Sequence, residues 1–391
     1  MTTLVRAKRL FIGGRLTGPG VVTLDGDRIA SVSLDKVLDT RANRGGVAEE
    51  VVLADGILTP GLIDLQINGA FGVDFADARP SDWRMIRAGL LRTAVTAFAP
   101  TLITAAPARL AASLLDVDAA ARERGPGARI LGAHVEGPFL SPDYHGAHDP
   151  ALMRDPTPEA LDVLLQGPTP LILTLAPERR HALDAIARLT AAGCLVSVGH
   201  TAATGTEVHA AADAGARMVT HVFNAQRPLG HREPGTAGAA LTDPRLTVGM
   251  IADLQHIAAE IVALIFRAAA GNVVLVTDAV AAMGVTRDRA VLGGSDVYVD
   301  DEGLPRRADG TIAGSVLTLD QAVRNAISCG VQPLQVLQAV TRTPADLVGR
   351  ADLGRLAPGA LADLVWWSDD WEVRDVWAGG VPAFDVATRS A

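Results

Sequence analysis

The sequence predicts an α/β protein, a (β/α)8 TIM-type barrel with a small β-sandwich domain formed from both chain termini. Three observations lead there. From Ile57 to about Val340, short apolar runs alternate with amphipathic stretches, and eight of the runs read as strands. Four of these stop on a side chain able to hold a metal or move a proton: ARILGAHVE on Glu136, CLVSVGH on His200, ARMVTH on His221 and NVVLVTD on Asp278. The two ends of the chain have a different texture, with strand-like pieces separated by glycine turns.

Residues 1–56 and 346–391 are assigned to the small domain and 57–345 to the barrel. The first part contains FIGGRLTGPGVVTLDGDRIASVS and the last LADLVWWSDDWEVRDVWAGGVPAF, where Trp366, Trp367, Trp371 and Trp377 are expected to pack in the sheets. The barrel strands are placed at 62–68, 96–103, 129–136, 171–178, 195–200, 217–221, 246–253 and 272–278. Each is a nearly unbroken apolar run, as expected of a strand buried on both faces. DWRMIRAGLLRTA, PERRHALDAIARLTAA and HIAAEIVALIFRAAA carry apolar residues three and four apart, which predicts helices between strands. After the sixth strand, FNAQRPLGHREPGTAG is expected to be a loop rich in glycine and proline.

Composition removes several classes of function. With 391 residues, 49% hydrophobic and 20% charged, the chain can bury a large core. Its formal charge of −9, from 44 acidic and 35 basic residues, argues against broad contact with nucleic acid or an anionic membrane. The most apolar region, Ile261 to Val280, is interrupted by Arg267, Asn272 and Asp278, so it does not read as a membrane span. The opening MTTLVRAKRLFIGG lacks the apolar centre of a signal peptide, and a cytoplasmic location is expected. Cys194 and Cys329 are read as reduced, buried thiols.

In such a barrel the C-terminal ends of the strands meet at one mouth, which would bring Glu136, His200, His221 and Asp278 together. Two imidazoles and a carboxylate make a three-ligand site for a divalent ion with one position left for water, so Glu136, His200 and His221 are the expected metal ligands. Such an ion makes water acidic enough to supply hydroxide near neutral pH, and Asp278 is placed to take the proton as general base. Metal-assisted hydrolysis is the chemistry this predicts. His134, two residues before Glu136, is expected one layer deeper as a support. His145, His148, His231 and His256 fall in loops on the catalytic side, whereas His181 and His209 lie in helical stretches. The chain's lysines, Lys8 and Lys36, precede the barrel, so no barrel lysine can bridge two metals. Gln66 and Asn68 stand where a second metal would want histidines, and this vacant second-metal position predicts a single strongly held ion.

PGLIDLQINGAFGVDF, HVEGPFLSPDYHGAH, VSVGHTAA, THVFNAQRPLGHREPG, ADLQHI, LVTDA, TIAGSVLTL and LGRLAPGALADLV together resemble the amidohydrolase superfamily, and within it the N-acetylglucosamine-6-phosphate deacetylases. The resemblance spans essentially the whole chain. It implies hydrolysis of the acetamide of N-acetylglucosamine 6-phosphate to glucosamine 6-phosphate and acetate, a reaction of amino-sugar catabolism and cell-wall recycling. It further implies sugar or carbonyl contacts from His148 and His256, and phosphate contacts from the backbone amides of Asn224 and Ala225 with Arg232. That arginine would reach across a homodimer. One divalent metal ion per subunit, zinc or ferrous iron, is implied as cofactor.

Two other readings are open at this stage. One keeps the metal hydrolase and changes the substrate, to N-acetylgalactosamine 6-phosphate or an N-acylamino acid. The other is a barrel that has lost catalysis and acts as a binding protein, motivated by the absence of histidines at 66 and 68.

Overall fold

The computed structural model describes residues 2–34, 47–123, 125–286 and 288–384; Lys36 and the segment 385–391 lie outside them. The barrel strands are β1 (Leu62–Ile67), β2 (Val95–Ile103), β3 (His134–Glu136), β4 (Ile172–Leu175), β5 (Leu195–Val198), β6 (Met218–Val219), β7 (Thr247–Ile251) and β8 (Val273–Val276). They pair in parallel in sequence order, from β1 beside β2 round to β7 beside β8. Their burial explains their composition: every residue of β1, β4, β7 and β8 is buried and most are apolar, with Asp64 and Gln66 of β1 among the polar exceptions.

Helices cover the outside: α1 (Pro80–Leu91), α2 (Pro107–Arg122), α3 (Pro158–Leu164), α4 (Ala182–Ala191), α5 (Gly205–Ala214), α6 (Gly235–Thr242), α7 (Ala259–Ala268) and α8 (Leu319–Ser328). Two more, α9 (Pro333–Val340) and α10 (Arg342–Leu347), complete the ring. In α7, Val262, Ala263, Ile265 and Phe266 form the buried stripe that the three-and-four spacing predicts. The start of α6 departs from expectation, because GTAG belongs to a helix and not to the preceding loop. Its turns pack through Ala237, Ala239 and Ala240, whose small side chains suit close packing and helix formation despite the glycines beside them.

Among the sheets beyond the barrel, two are formed by the chain ends. One contains Thr2–Ala7, Gly20–Asp25, Arg28–Ser33 and Val47–Leu53. The other joins both chain ends: Ile57–Pro60 runs between Leu10–Ile12 and the C-terminal strand Leu364–Trp367. Ile57–Pro60, read as the start of the barrel, therefore pairs in this terminal sheet. Trp367 and Trp377 are fully buried, and the Trp367 indole donates to Thr59 Oγ1 at 2.9 Å. A three-stranded flap, Arg289–Leu292, Ser295–Val299 and Pro305–Arg306, follows β8 and has no counterpart in the expectations from sequence.

The seam between β8 and β1 differs from the other barrel edges. Among the described residues no ladder joins them. The backbone contacts there are an isolated bridge, Ile67 with Ala279, and three hydrogen bonds, Asp278 N–H to Gln66 O at 2.8 Å and Asn68 N–H and Gly69 N–H to Ala279 O at 2.7 and 3.1 Å.

Candidate active site

Glu136 is the last residue of β3, while His200, His221 and Asp278 lie two positions past the ends of β5, β6 and β8. All three take positive φ, 48°, 25° and 50°, a region where side chains crowd the backbone. Neighbouring backbone groups hold them there. His200 O accepts from Ser141 N–H at 2.8 Å, His221 O from Asn224 N–H at 3.0 Å, and Asp278 O from Ser315 N–H at 2.9 Å. Gly199 lets His200 approach, since a Cβ there would stand 2.8 Å from both Thr174 and Thr220 side chains.

The imidazoles and the carboxylate meet at one point. His221 Nε2 lies 3.1 Å from Glu136 Oε1 and 3.1 Å from His200 Nε2, and His200 Nε2 lies 3.4 Å from Glu136 Oε1. Ligand bonds of about 2.0 Å at tetrahedral angles put donor atoms about 3.3 Å apart, so this triangle fits a divalent ion. His200 Nδ1 is 2.9 Å from the Tyr144 carbonyl, which fixes the hydrogen there and leaves Nε2 as a lone-pair donor. Burial alone would raise the Glu136 carboxyl, but hydrogen bonding to His200 and His221 holds it well below the usual carboxylate range.

Glu136, His148 and His200 also bring ligand atoms within 4.8 Å of one another, with His148 Nε2 3.8 Å from Glu136 Oε2. The tautomer argues against ligation by His148. Thr104 N–H points at His148 Nδ1 at 3.3 Å and the Thr104 hydroxyl lies 2.8 Å from the same atom, so Nδ1 accepts and Nε2 carries the hydrogen. Burial and the neighbouring His200 push this imidazole down to about 3, so it is neutral. A neutral N–H facing the cavity suits a substrate oxygen.

Asp278 Oδ1 accepts from Asn68 Nδ2 at 2.8 Å and from Gln66 Nε2 at 3.1 Å. Gln66 Nε2 also reaches Glu136 Oε1 at 3.1 Å, so one amide group spans both carboxylates. Among the described residues Asp278 Oδ2 accepts nothing and is available to the cavity. Burial and the charge of Glu136 push Asp278 up to about 6.

The cavity has a volume of about 430 Å³, room for a small polar molecule. Asn68, Glu136, His148, His200, His221, Asn224, Ala225, His256 and Asp278 line it, and Gln66 sits behind them. His256 is oriented by Asp253, whose Oδ2 lies 2.7 Å from Nδ1. The Ala225 N–H, at φ 49°, has no protein acceptor among the described residues, whereas that of Asn224 is directed at His221 O. Arg232 does not line the cavity; it is exposed on the loop after β6.

His134 occupies the layer below, with Nε2 2.8 Å from Thr174 Oγ1, and burial pushes it down to about 4. His145 lines the cavity, His231 and His181 are exposed, and His209 pairs with Asp243 at 2.9 Å. Thr104, Asp253 and the wall formed by Leu292, Thr311 and Ile312 were not singled out from sequence. Only a hydroxyl or carboxylate near a strand end marked the first two, and the wall depends on the flap.

The Amidohydrolase family profile matches residues 57–385. A human N-acetylglucosamine-6-phosphate deacetylase is 37% identical over 400 residues, covering 96% of this chain and 91% of its own length. An N-acetylgalactosamine-6-phosphate deacetylase of Escherichia coli O157:H7 is 36% identical over 328 residues, covering 83% of this chain and 87% of its own. Among solved structures, a mutant Mycobacterium smegmatis N-acetyl-D-glucosamine-6-phosphate deacetylase in complex with N-acetyl-D-glucosamine-6-phosphate superposes with a TM-score of 0.88 at 34% identity. The match covers 98% of this chain and 100% of that one. With its barrel, its strand-end donors and these matches, the chain belongs to the amidohydrolase family, in the N-acetylglucosamine-6-phosphate deacetylase branch.

Proposed function

We propose that this site hydrolyses the acetamide of N-acetylglucosamine 6-phosphate to glucosamine 6-phosphate and acetate. The observation that carries the reading is the donor triangle of Glu136, His200 and His221 beside the unencumbered Asp278 Oδ2, at the floor of a cavity of about 430 Å³.

Glu136, His200 and His221 would hold one divalent ion, zinc or ferrous iron. When bound, such an ion makes water a better nucleophile near neutral pH and polarises a carbonyl. Asp278 Oδ2 takes the proton from the attacking water and delivers it to the departing amine. Asn68 and Gln66 keep Oδ1 occupied, so the proton travels through the other oxygen. His148 donates its Nε2 hydrogen to the acetyl oxygen as negative charge develops there. His256, fixed by Asp253, contacts the sugar. At the phosphate lie Ala225, whose free amide donates to it, and Asn224, whose own N–H is engaged with His221 O, while Arg232 supplies a paired hydrogen-bond donor. Its place on an exposed loop, beside the half-exposed Leu229 at 49%, is consistent with delivery from one subunit of a homodimer into its partner's site.

No helix among the described residues is long and apolar enough to cross a membrane. A cytoplasmic location is part of the proposal, supported by two unpaired cysteines, Cys194 buried and Cys329 only half-buried, whereas the sequence predicts both buried.

A second substrate reading, N-acetylgalactosamine 6-phosphate, is favoured by the 36% identity to a deacetylase so named. Acetate release from the two epimeric phosphosugars and from unphosphorylated N-acetylglucosamine tests both readings. The glucosamine epimer is expected to turn over fastest and the unphosphorylated sugar far more slowly. Equal rates with and without phosphate would overturn the assignment of Asn224, Ala225 and Arg232. No acetate from any of them after zinc or iron loading would overturn the hydrolase.

A further inference from the structure

Asp64 lies on β1, two residues before Gln66, and is completely buried. No cation pairs with it among the described residues. Its three hydrogen bonds all run toward the carboxylate: Oδ2 accepts from the Thr277 hydroxyl at 2.6 Å, and Oδ1 accepts from Thr277 N–H at 3.3 Å and from Gln66 N–H at 3.2 Å. Thr277 is the residue immediately before Asp278.

The contacts fall at the barrel seam, where β8 and β1 share no ladder. In a regular parallel ladder the Thr277 amide would find a carbonyl on the neighbouring strand. Here a side-chain carboxylate takes that place, and the same carboxylate ties down the backbone of Gln66, whose amide group contacts Asp278 and Glu136. On the opposite side Ser315 closes the clamp, donating its hydroxyl to Thr277 O at 2.6 Å and its N–H to Asp278 O at 2.9 Å. The left-handed turn at Asp278, φ 50°, is held between these two anchors.

We infer that Asp64 is a positioning residue for catalysis: through Thr277 it fixes the backbone from which Asp278 projects, and through Gln66 it fixes the amide that orients the Asp278 carboxylate. Asp64 touches neither substrate nor metal ligand. A fully buried carboxyl without a cation, pushed up to about 7 by burial, is costly to retain for the fold alone, since an apolar side chain of similar volume would close a seam without desolvating a polar group. Its placement under the reacting carboxylate gives it a task that packing does not.

The inference rests on Asp278 as the base, and the test separates the two. Thr277→Val removes the hydroxyl while keeping the shape, Thr277→Ser keeps the hydroxyl, and Asp64→Asn keeps the size. Each is compared with Asp278→Asn in steady-state acetate release, normalised to bound metal and to folded protein by circular dichroism. A sub-ångström displacement of the base is expected to lower kcat roughly tenfold in Thr277→Val, with KM within about twofold and metal content unchanged, while Thr277→Ser stays close to the parent. Asp64→Asn should show the same split, lower kcat at nearly constant KM. If Thr277→Val and Asp64→Asn keep the parent kcat while Asp278→Asn loses it, the positioning role is wrong. A loss confined to folded fraction or metal content, with kcat per metal unchanged, also overturns it. If Asp278→Asn itself keeps its activity, the base assignment fails instead.

Discussion

Two buried carboxylates face one cavity, and their surroundings drive them apart. Glu136 is held ionised by two imidazoles, while burial and the charge of Glu136 push Asp278 up to about 6. A cation beside them favours the charged form of Asp278 and so draws its pKa down. A base works only when ionised, so kcat should rise with pH and level off, with the midpoint of that acid limb at or below about 6 in the metal-loaded enzyme. A pH–rate profile checks this, and a midpoint well above that value would contradict it. Asp278→Asn should lower kcat by about 10²–10⁴-fold while metal content holds, as measured by acetate release alongside metal analysis. At this scale the sequence was readable because Glu136, His200, His221 and Asp278 each interrupt an apolar run, where a polar residue needs a reason. Thr104 and Asp253 were not readable. They act by fixing the tautomer or orientation of His148 and His256, and nothing in their local sequence announces a partner 44 residues away in the first case.

Among the elements, eight strands form at the apolar runs, but the third run, 129–136, is broken into Arg129–Ile130 and His134–Glu136, and β5, β6 and β8 stop short of the residues proposed to carry the chemistry. Hydrophobic pattern marks where a chain is buried; a left-handed turn at His200 or Asp278 leaves that pattern intact and ends the ladder. The beginning of α6 was hidden by Gly235 and Gly238, and the flap from Arg289 to Arg306 by its short, half-exposed strands. Helix α5 has a reciprocal cap that fixes the chain just after His200. The Thr204 hydroxyl accepts from Glu207 N–H at 3.3 Å, and Glu207 Oε2 accepts from Thr204 N–H at 2.8 Å. Thr204→Ala should cost about 1 kcal/mol in chemical denaturation. Because the turn carrying His200 is also held by Glu178, through Thr201 Oγ1 and Ala202 N–H, kcat should change less than twofold. A large loss of kcat with no loss of stability would mean that the cap acts on the site directly.

Over the whole molecule, an acidic chain of charge −9 can bind a phosphosugar only where positive groups are gathered locally, and among the described residues no arginine lines the single-subunit cavity. The proposed delivery of Arg232 by a partner subunit makes a sharp prediction. Arg232→Ala and Asp278→Asn are each expected to be nearly inactive, yet mixing them under subunit exchange should restore activity. In the mixed dimer one site has both residues intact and the other has neither, so random pairing of equal amounts recovers roughly a quarter of the parent rate. If Arg232 serves its own subunit, each mixed site keeps one lesion and no activity returns.

Metal dependence tests the central claim most directly. The chelated protein is titrated with zinc or ferrous iron while bound metal and acetate release from N-acetylglucosamine 6-phosphate are followed together. Activity is expected to rise in proportion to bound metal and to saturate at one ion per subunit, with His200→Gln and His221→Gln binding it far more weakly. Full activity in rigorously metal-free protein, or saturation only at two ions per subunit, would contradict the three-ligand site.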